Sequence, residues 1–416
     1  MTTVLLSISS YLVAANAQES PKASKPKMSQ EEMYDMVMNH FLGDKMPLNN
    51  NPNRFIFQGS FIYWQADVDG IDYGLSQNAI LDTNPPQAGS NTGVLSVDEK
   101  LSQGNLDFKW DPGFKVGIGV VFGDRDEWDL FLNWTWLETT ASSKINESQI
   151  PDFTGLPSLF GPKITADTIT NASYITPGFA YPFLGSPAYS MNTHWRLLYN
   201  TVDLELGRNF FLGNVLTLRP HIGLRGAFLH QHTKINYLIG SIGFANDPLL
   251  PTIPVTGNST GSAQTKATNE YDSVGVRGGF DLHWNFTKHF CVYGNLAGSI
   301  LYGQFDINQL FVGSGEIIEV SSNPPSVQII DGTSQLKDRF HRTRTNLQAV
   351  IGMMWHTDFN NDKQHLFVSA GYEVNEWFQQ NELRTIVGFV PFLLSSSRTS
   401  GDLGLHGLTV DLRFDF

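Results

Sequence analysis

GLTVDLRFDF, residues 407–416, puts Leu408, Val410, Leu412, Phe414 and Phe416 at every second position. Thr409, Asp411, Arg413 and Asp415 take the places between. Strand side chains alternate between faces, so one face here is bulky and apolar and the other polar and charged. Two environments fit that pattern. A soluble sheet turns its apolar face to a core and its polar face to water. A membrane β-barrel turns the apolar face to lipid and the polar face to a lumen. One strand does not separate them, so the rest of the chain must.

From Arg54 onward the sequence predicts strands and almost no helix, ten strands in all. They lie near 54–66, 106–122, 128–139, 192–207, 215–235, 270–286, 290–305, 340–357, 365–377 and 402–416. Their spacing has a rhythm. The connections GDRDE (123–127), RNFFLGN (208–214), Thr287–His289 and DFNNDKQ (358–364) are short. The connections 67–104, 140–190, 236–266, 306–339 and 378–400 are long and rich in Gly, Pro, Ser or Thr. Regular alternation of short turns and long loops is what a closed antiparallel transmembrane barrel requires, with short turns in the periplasm and long loops outside. Closure also satisfies every backbone group in lipid. Strands hidden inside 140–190 or 378–400 would raise the count, and twelve is the main rival to ten.

The alternation inside the strands agrees. Val274, Val276, Phe280, Leu282 and Trp284 oppose Ser273, Arg277, Asp281 and His283. Leu216, Leu218, Ile222, Leu224 and Phe228 oppose Arg219, His221, Arg225 and Gln231. Leu347, Ala349, Ile351, Met353 and Trp355 oppose Arg342, Arg344, Asn346 and Gln348, and Tyr372 and Val374 oppose Glu373 and Asn375. A dry core does not readily accept so many charges, whereas a wet lumen does. The fourth strand breaks phase, because Trp195, Leu197 and Tyr199 give way to Val202, Leu204 and Leu206. A β-bulge near Asn200 would reconcile its halves. Aromatics near strand ends, Tyr63, Trp64, Trp136, Tyr237, Trp284, Trp355 and Trp377, suit interfacial girdles.

Composition narrows the function. Lys and Arg total 27 against 40 Asp and Glu, a net charge of -13, which disfavours nucleic-acid binding. There is no apolar run long enough for a helical membrane span. Cys291, the single cysteine, lies in an apolar run and reads as a packing residue. Residues 1–17 read as a signal peptide with a truncated n-region, ending Ala15-Asn16-Ala17. Residues 18–53 read as a periplasmic linker with a short helix over 28–46, and residues 54–416 as the barrel.

WDPGFKVGIGVVFGDRDEWDLFLNWTWLET (Trp110–Thr139) resembles the major outer membrane protein-like, pore-forming barrel family of Legionella and environmental chlamydiae. The likeness continues through His194–Gln231 and Asp272–Phe305. The resemblance implies the bacterial outer membrane, a β-barrel and a porin role. It also implies that Phe416 is the terminal aromatic read by the barrel assembly machinery, with outer-membrane lipid as surroundings. Cysteine cross-linking of the envelope, known in that family, does not carry over to a chain with Cys291 alone.

The sharpest functional expectation is a narrow, arginine-lined lumen. Arg196, Arg219, Arg225, Arg277, Arg342 and Arg344 are candidate pore-lining residues, with Asp281 and Glu373 facing them. Unpaired arginines in a constriction would favour anions over cations. Paired with the carboxylates, they would instead fill a small barrel. The expected function is therefore passive diffusion of small hydrophilic solutes or ions. The alternative is an occluded structural or adhesin barrel acting through its long loops. Oligomeric state is open, with a homo-oligomer among the options. No catalytic residue, metal site or cofactor is expected: His194, His221, His230 and His232 lack ligand or nucleophile spacing, and no phosphate-binding or hydrolase motif occurs.

Overall fold

The computed structural model describes residues 53–71, 74–84, 94–123, 127–146, 168–177, 188–212, 215–240, 260–319, 326–360, 364–387 and 395–416. The expected signal peptide and the helix at 28–46 lie outside these residues. Ten long strands form a ring: β1 (Asn53–Val68), β2 (Trp110–Phe122), β3 (Trp128–Asn146), β4 (Ala188–Arg208), β5 (Leu216–Gly240), β6 (Thr260–Asn285), β7 (Phe290–Glu319), β8 (Ser326–Phe359), β9 (Gln364–Val387) and β10 (Ser395–Asp415). Each pairs antiparallel with its neighbours in sequence. The first and last close the ring, with Gly59 opposite Leu412. The Phe55 N–H donates to the Phe416 carbonyl at 2.8 Å, and the Phe416 N–H returns the bond at 3.0 Å.

The ring holds ten strands, not twelve. The additional strands Gly74–Asn84, Val94–Gln103 and Thr168–Pro177 come from the long connections and pair with one another. Among the described residues, their ladder joins the ring where Ile175 lies opposite Ala188 at the end of β4. Strands β6, β7 and β8 run to 26, 30 and 34 residues. A tilted strand crosses a bilayer in about 9–11 residues. The excess lies on the long-loop side, so the barrel continues well beyond the membrane.

That extension has the opposite polarity to the spanning part. Near the short turns, bulky groups face out and polar groups face in. On β5 Leu224 is exposed outward while Arg225 is buried inward. Higher on the same strand, Ile235 and Tyr237 are buried inward while Lys234 is exposed outward. From Leu224 to Tyr237 the alternation of β5 does not change; the surroundings do. Lipid selects apolar outward groups below, and water selects polar ones above. Inside the upper part a continuous apolar core forms from Ile62, Trp64, Leu137, Trp195, Leu197, Tyr199, Leu229, Tyr271, Phe305, Trp377 and Leu403, among others. Each large apolar side chain removed from water there contributes about 1.5–3 kcal/mol.

This inversion corrects the reading of β4. Its pairing with β5 runs without a break from His221↔Gly207 to Leu238↔Ser190, passing Asn200↔Phe228. No bulge sits near Asn200. Trp195, Leu197 and Tyr199 are on the inward face, in phase with Asp203, while Val202, Leu204 and Leu206 point out. The girdle needs the same correction. Tyr63, Trp136, Trp284 and Trp355 face outward, but Trp64, Tyr237 and Trp377 are buried inside. Phe416 faces out and stacks on Phe57 at 5.7 Å.

Gly275 on β6 shows how close the ring's backbones approach. A Cβ there would drive into the Ile300 carbonyl and the Leu301 backbone of β7. Backbone cannot yield as a flexible side chain can. Gly275→Ala is therefore expected to cost about 1–3 kcal/mol. A lower urea midpoint for loss of the folded gel band, relative to wild type, checks this; an unchanged midpoint would contradict it.

Candidate functional site

The candidate site is the polar interior of the membrane-spanning half. Inward positions on all ten strands line one chamber of about 200 Å³. Its lining includes the cations Lys115, Arg219, Arg277 and Arg413 and the carboxylates Asp129, Asp203, Glu205, Asp281, Glu373 and Asp411. Carboxylates outnumber cations, so the chamber is not a positive lumen.

The arginines are neutralised one by one. Arg219 forks onto Asp129, at 2.5 and 2.8 Å, and its other arm donates to Asp281 at 2.6 Å. Arg277 donates to Glu205 at 2.7 Å. Arg225, almost wholly buried, makes a bidentate pair with Asp203 at 2.6 and 2.7 Å. It also donates to Asn346 and, at 2.9 Å, to Gln348. Lys115 meets both oxygens of Glu373 at 2.6 and 2.7 Å and lies over the Trp64 ring, 4.9 Å from its centroid. Gln348 and Thr409 donate to the same carboxylate at 2.6 and 2.9 Å. Bidentate and charge-assisted bonds of this kind fix geometry as well as contributing energy.

Several buried polar atoms in the chamber have no hydrogen-bond partner among the described residues: both ring nitrogens of His221, Asn133 Oδ1, Asn295 Oδ1 and Arg277 Nη1. His221 lies 3.8 Å from Glu205 and 3.8 Å from Asp281, beyond hydrogen-bond reach. Buried groups of this type take water where the space is polar and roomy enough, as it is here. Above the chamber the apolar core begins. Trp64, Tyr199 and Trp377 form its first layer, in edge-on ring contacts at 6.5 and 6.1 Å.

The expected pore-lining set divides. Arg219, Arg225, Arg277, Asp281 and Glu373 come together in or just above the chamber. Arg344 also faces inward but higher, bonded to Glu382, which Arg398 shares; Arg342 stands 3.9 Å from that carboxylate. Arg196 is a correction: it is on the outer face, exposed, and pairs with Glu138 at 2.8 Å. It shares the outward parity of His194, because the unbroken alternation of β4 sends Trp195 and Leu197 inward. Among the histidines, His221 is inside while His194, His230 and His232 are on the outer face. Among the described residues no cluster of His, Cys, Asp and Glu could hold a metal ion. Outside the apolar band, Glu376 has a carboxyl held above its usual range, by burial first and then by Asp402, Asp69 and Asp67.

Lys115, Asp129, Asp203 and Glu205 complete the network and escaped the sequence reading. Their signal was present: each sits between outward apolar neighbours, Lys115 between Phe114 and Val116, Asp129 between Trp128 and Leu130. Glu382 gave no such signal. It follows a break in pairing between Trp377 and Asn381, with Gln379 at a φ of 54°.

A family model described as "Legionella pneumophila major outer membrane protein precursor" matches residues 46–416. No curated protein matches significantly. Among solved structures, the outer membrane protease OmpT from Escherichia coli aligns at 9% identity and a TM-score of 0.26, covering 90% of this chain and 99% of that one. A Pseudomonas aeruginosa FadL homologue aligns at 10% identity and 0.21, covering 88% and 90%. The P. putida toluene transporter TodX aligns at 8% identity and 0.22, with the same coverages. Scores this low carry no argument about activity.

Proposed function

The chain belongs to the Legionella major outer membrane protein family and resides in the bacterial outer membrane, and from that premise we propose that its barrel is closed to free diffusion. In this reading it serves as a structural element of the membrane and displays its β-rich extension outside. One observation carries the proposal: above a chamber of about 200 Å³, packed side chains fill the interior. Below, paired charges crowd the lumen: Arg219 with Asp281 on the adjacent strand and Asp129 two strands away, and Lys115 of β2 with Glu373 of β9. Above, a thick apolar core with fully buried Trp64, Trp195, Trp377, Tyr237 and Phe305 blocks the way out. Ions crossing the Trp64, Tyr199 and Trp377 layer would lose hydration with little to replace it.

The chamber favours a second reading, a narrow porin whose wetted half connects outward when the apolar layer parts. Its 200 Å³ and its unpartnered polar atoms are what such a channel would start from. Liposome swelling separates the two. Vesicles carrying folded protein, verified by a mobility shift on boiling, should swell in arabinose no faster than protein-free vesicles. Swelling that scales with protein content would establish the porin and reject the closed barrel. Neither reading assigns a catalytic role.

A further inference from the structure

A basic island lies on the outer wall of β3–β6, just above the apolar band. It consists of Lys144 on β3, His194 and Arg196 on β4, His232 and Lys234 on β5, and Lys266 on β6, all exposed. The register makes it compact. Lys234 stands opposite Lys266 on one side and His194 on the other. His232 stands opposite Arg196. Directly opposed residues have Cβ atoms about 4.5–5.5 Å apart, and like charges at that spacing repel. Arg196 has Glu138 as a partner at 2.8 Å. Among the described residues, no carboxylate pairs with Lys144, Lys234 or Lys266. The upper part of this wall therefore concentrates positive charge in a chain whose net charge is -13, while Glu270 and Asp272 lie on the same face below it, Asp272 at 3.3 Å from His230.

Its height selects the occupant. The last outward apolar groups beneath it are Trp136 on β3, Phe228 on β5 and Val274 on β6. Lys234 follows Phe228 by six residues on a tilted strand, roughly 15 Å along the barrel axis. From that height the long lysine side chains reach back along the wall toward the headgroup zone of the outer leaflet. Elsewhere on the wall, Arg339 is paired with Asp306 on β7, and Glu376 stands near Asp402 and Asp67. We propose that the Lys234–Lys266 island binds the phosphate groups of a phosphorylated lipid headgroup in the outer leaflet. Two or more ammonium groups around a phosphate relieve their mutual repulsion and form charge-assisted bonds. Near a charged membrane surface each lysine adds about fivefold to association.

The test titrates diphosphoryl lipid A into the full-length folded protein in a zwitterionic detergent. Native mass spectrometry reads the bound fraction. Lys234→Gln with Lys266→Gln should weaken binding at least about tenfold, while Arg339→Gln leaves it unchanged. Dephosphorylated lipid A should bind as weakly as the double variant. Inorganic phosphate at matching concentration should fail to displace the lipid. The boiling-dependent mobility shift verifies folding; if the double variant lacks it, Lys234→Gln alone carries the test. Equal affinity of wild type and variant, equal binding of the dephosphorylated lipid, or displacement by inorganic phosphate would each overturn the proposal.

Discussion

Arg225→Ala should lower the stability of the folded barrel by about 3–5 kcal/mol. The expectation rests on what the substitution leaves behind. Asp203 accepts two bonds from the guanidinium, at 2.6 and 2.7 Å, and is itself buried. Asn346 and Gln348 lose a donor in the same step. The large cost is that of an uncompensated buried carboxylate, not the net worth of the pair. The double variant Arg225→Ala with Asp203→Ala should therefore recover part of the loss, and the coupling should be non-additive. Urea titration of the folded gel band measures all three variants. A cost below about 1 kcal/mol for Arg225→Ala would mean that water reaches Asp203 freely, as it would in an open lumen.

Trp195→Ala should cost about 3–5 kcal/mol as well, for a different reason. Trp195 is fully buried in the extension, meets Phe108 edge-on at 5.4 Å, and its indole N–H donates to Gln231 at 3.3 Å. Its removal leaves a cavity and an unpaired amide in a core that lies outside the membrane. The loss should appear first as protease sensitivity of the extension, with the spanning strands retaining their mobility shift. Loss of the shift with no earlier cleavage would show that the two halves melt as one unit.

These two residues also mark where the sequence was readable and where it was not. The ten strands, their order and the alternation around Arg225 follow from period two and from the rhythm of short and long connections. Trp195 did not follow. Period two places it on the same face as Asp203, but it cannot tell which solvent surrounds that level of the strand. Period two alone makes every apolar stripe look lipid-facing, so the change from lipid to water near Asn200 mimics a bulge in the sequence. The same ambiguity makes Arg196 look inward and Trp377 outward in the sequence. Pairing of the arginines was legible only as an alternative, since partners such as Asp129 and Arg219, 90 residues apart, are brought together by the register of β3, β4 and β5. The strands Gly74–Asn84, Val94–Gln103 and Thr168–Pro177 were hidden because they lie in polar segments with no lipid-facing stripe to reveal them.

The most direct test is the single-channel current of the folded wild-type protein in a planar bilayer under a salt gradient. A barrel filled by the Arg219 and Lys115 networks and closed by Trp64, Tyr199 and Trp377 should give no discrete steps. The same preparation must show the mobility shift on boiling. Reproducible unitary steps with a defined reversal potential would contradict the closed interior and establish a conducting pore.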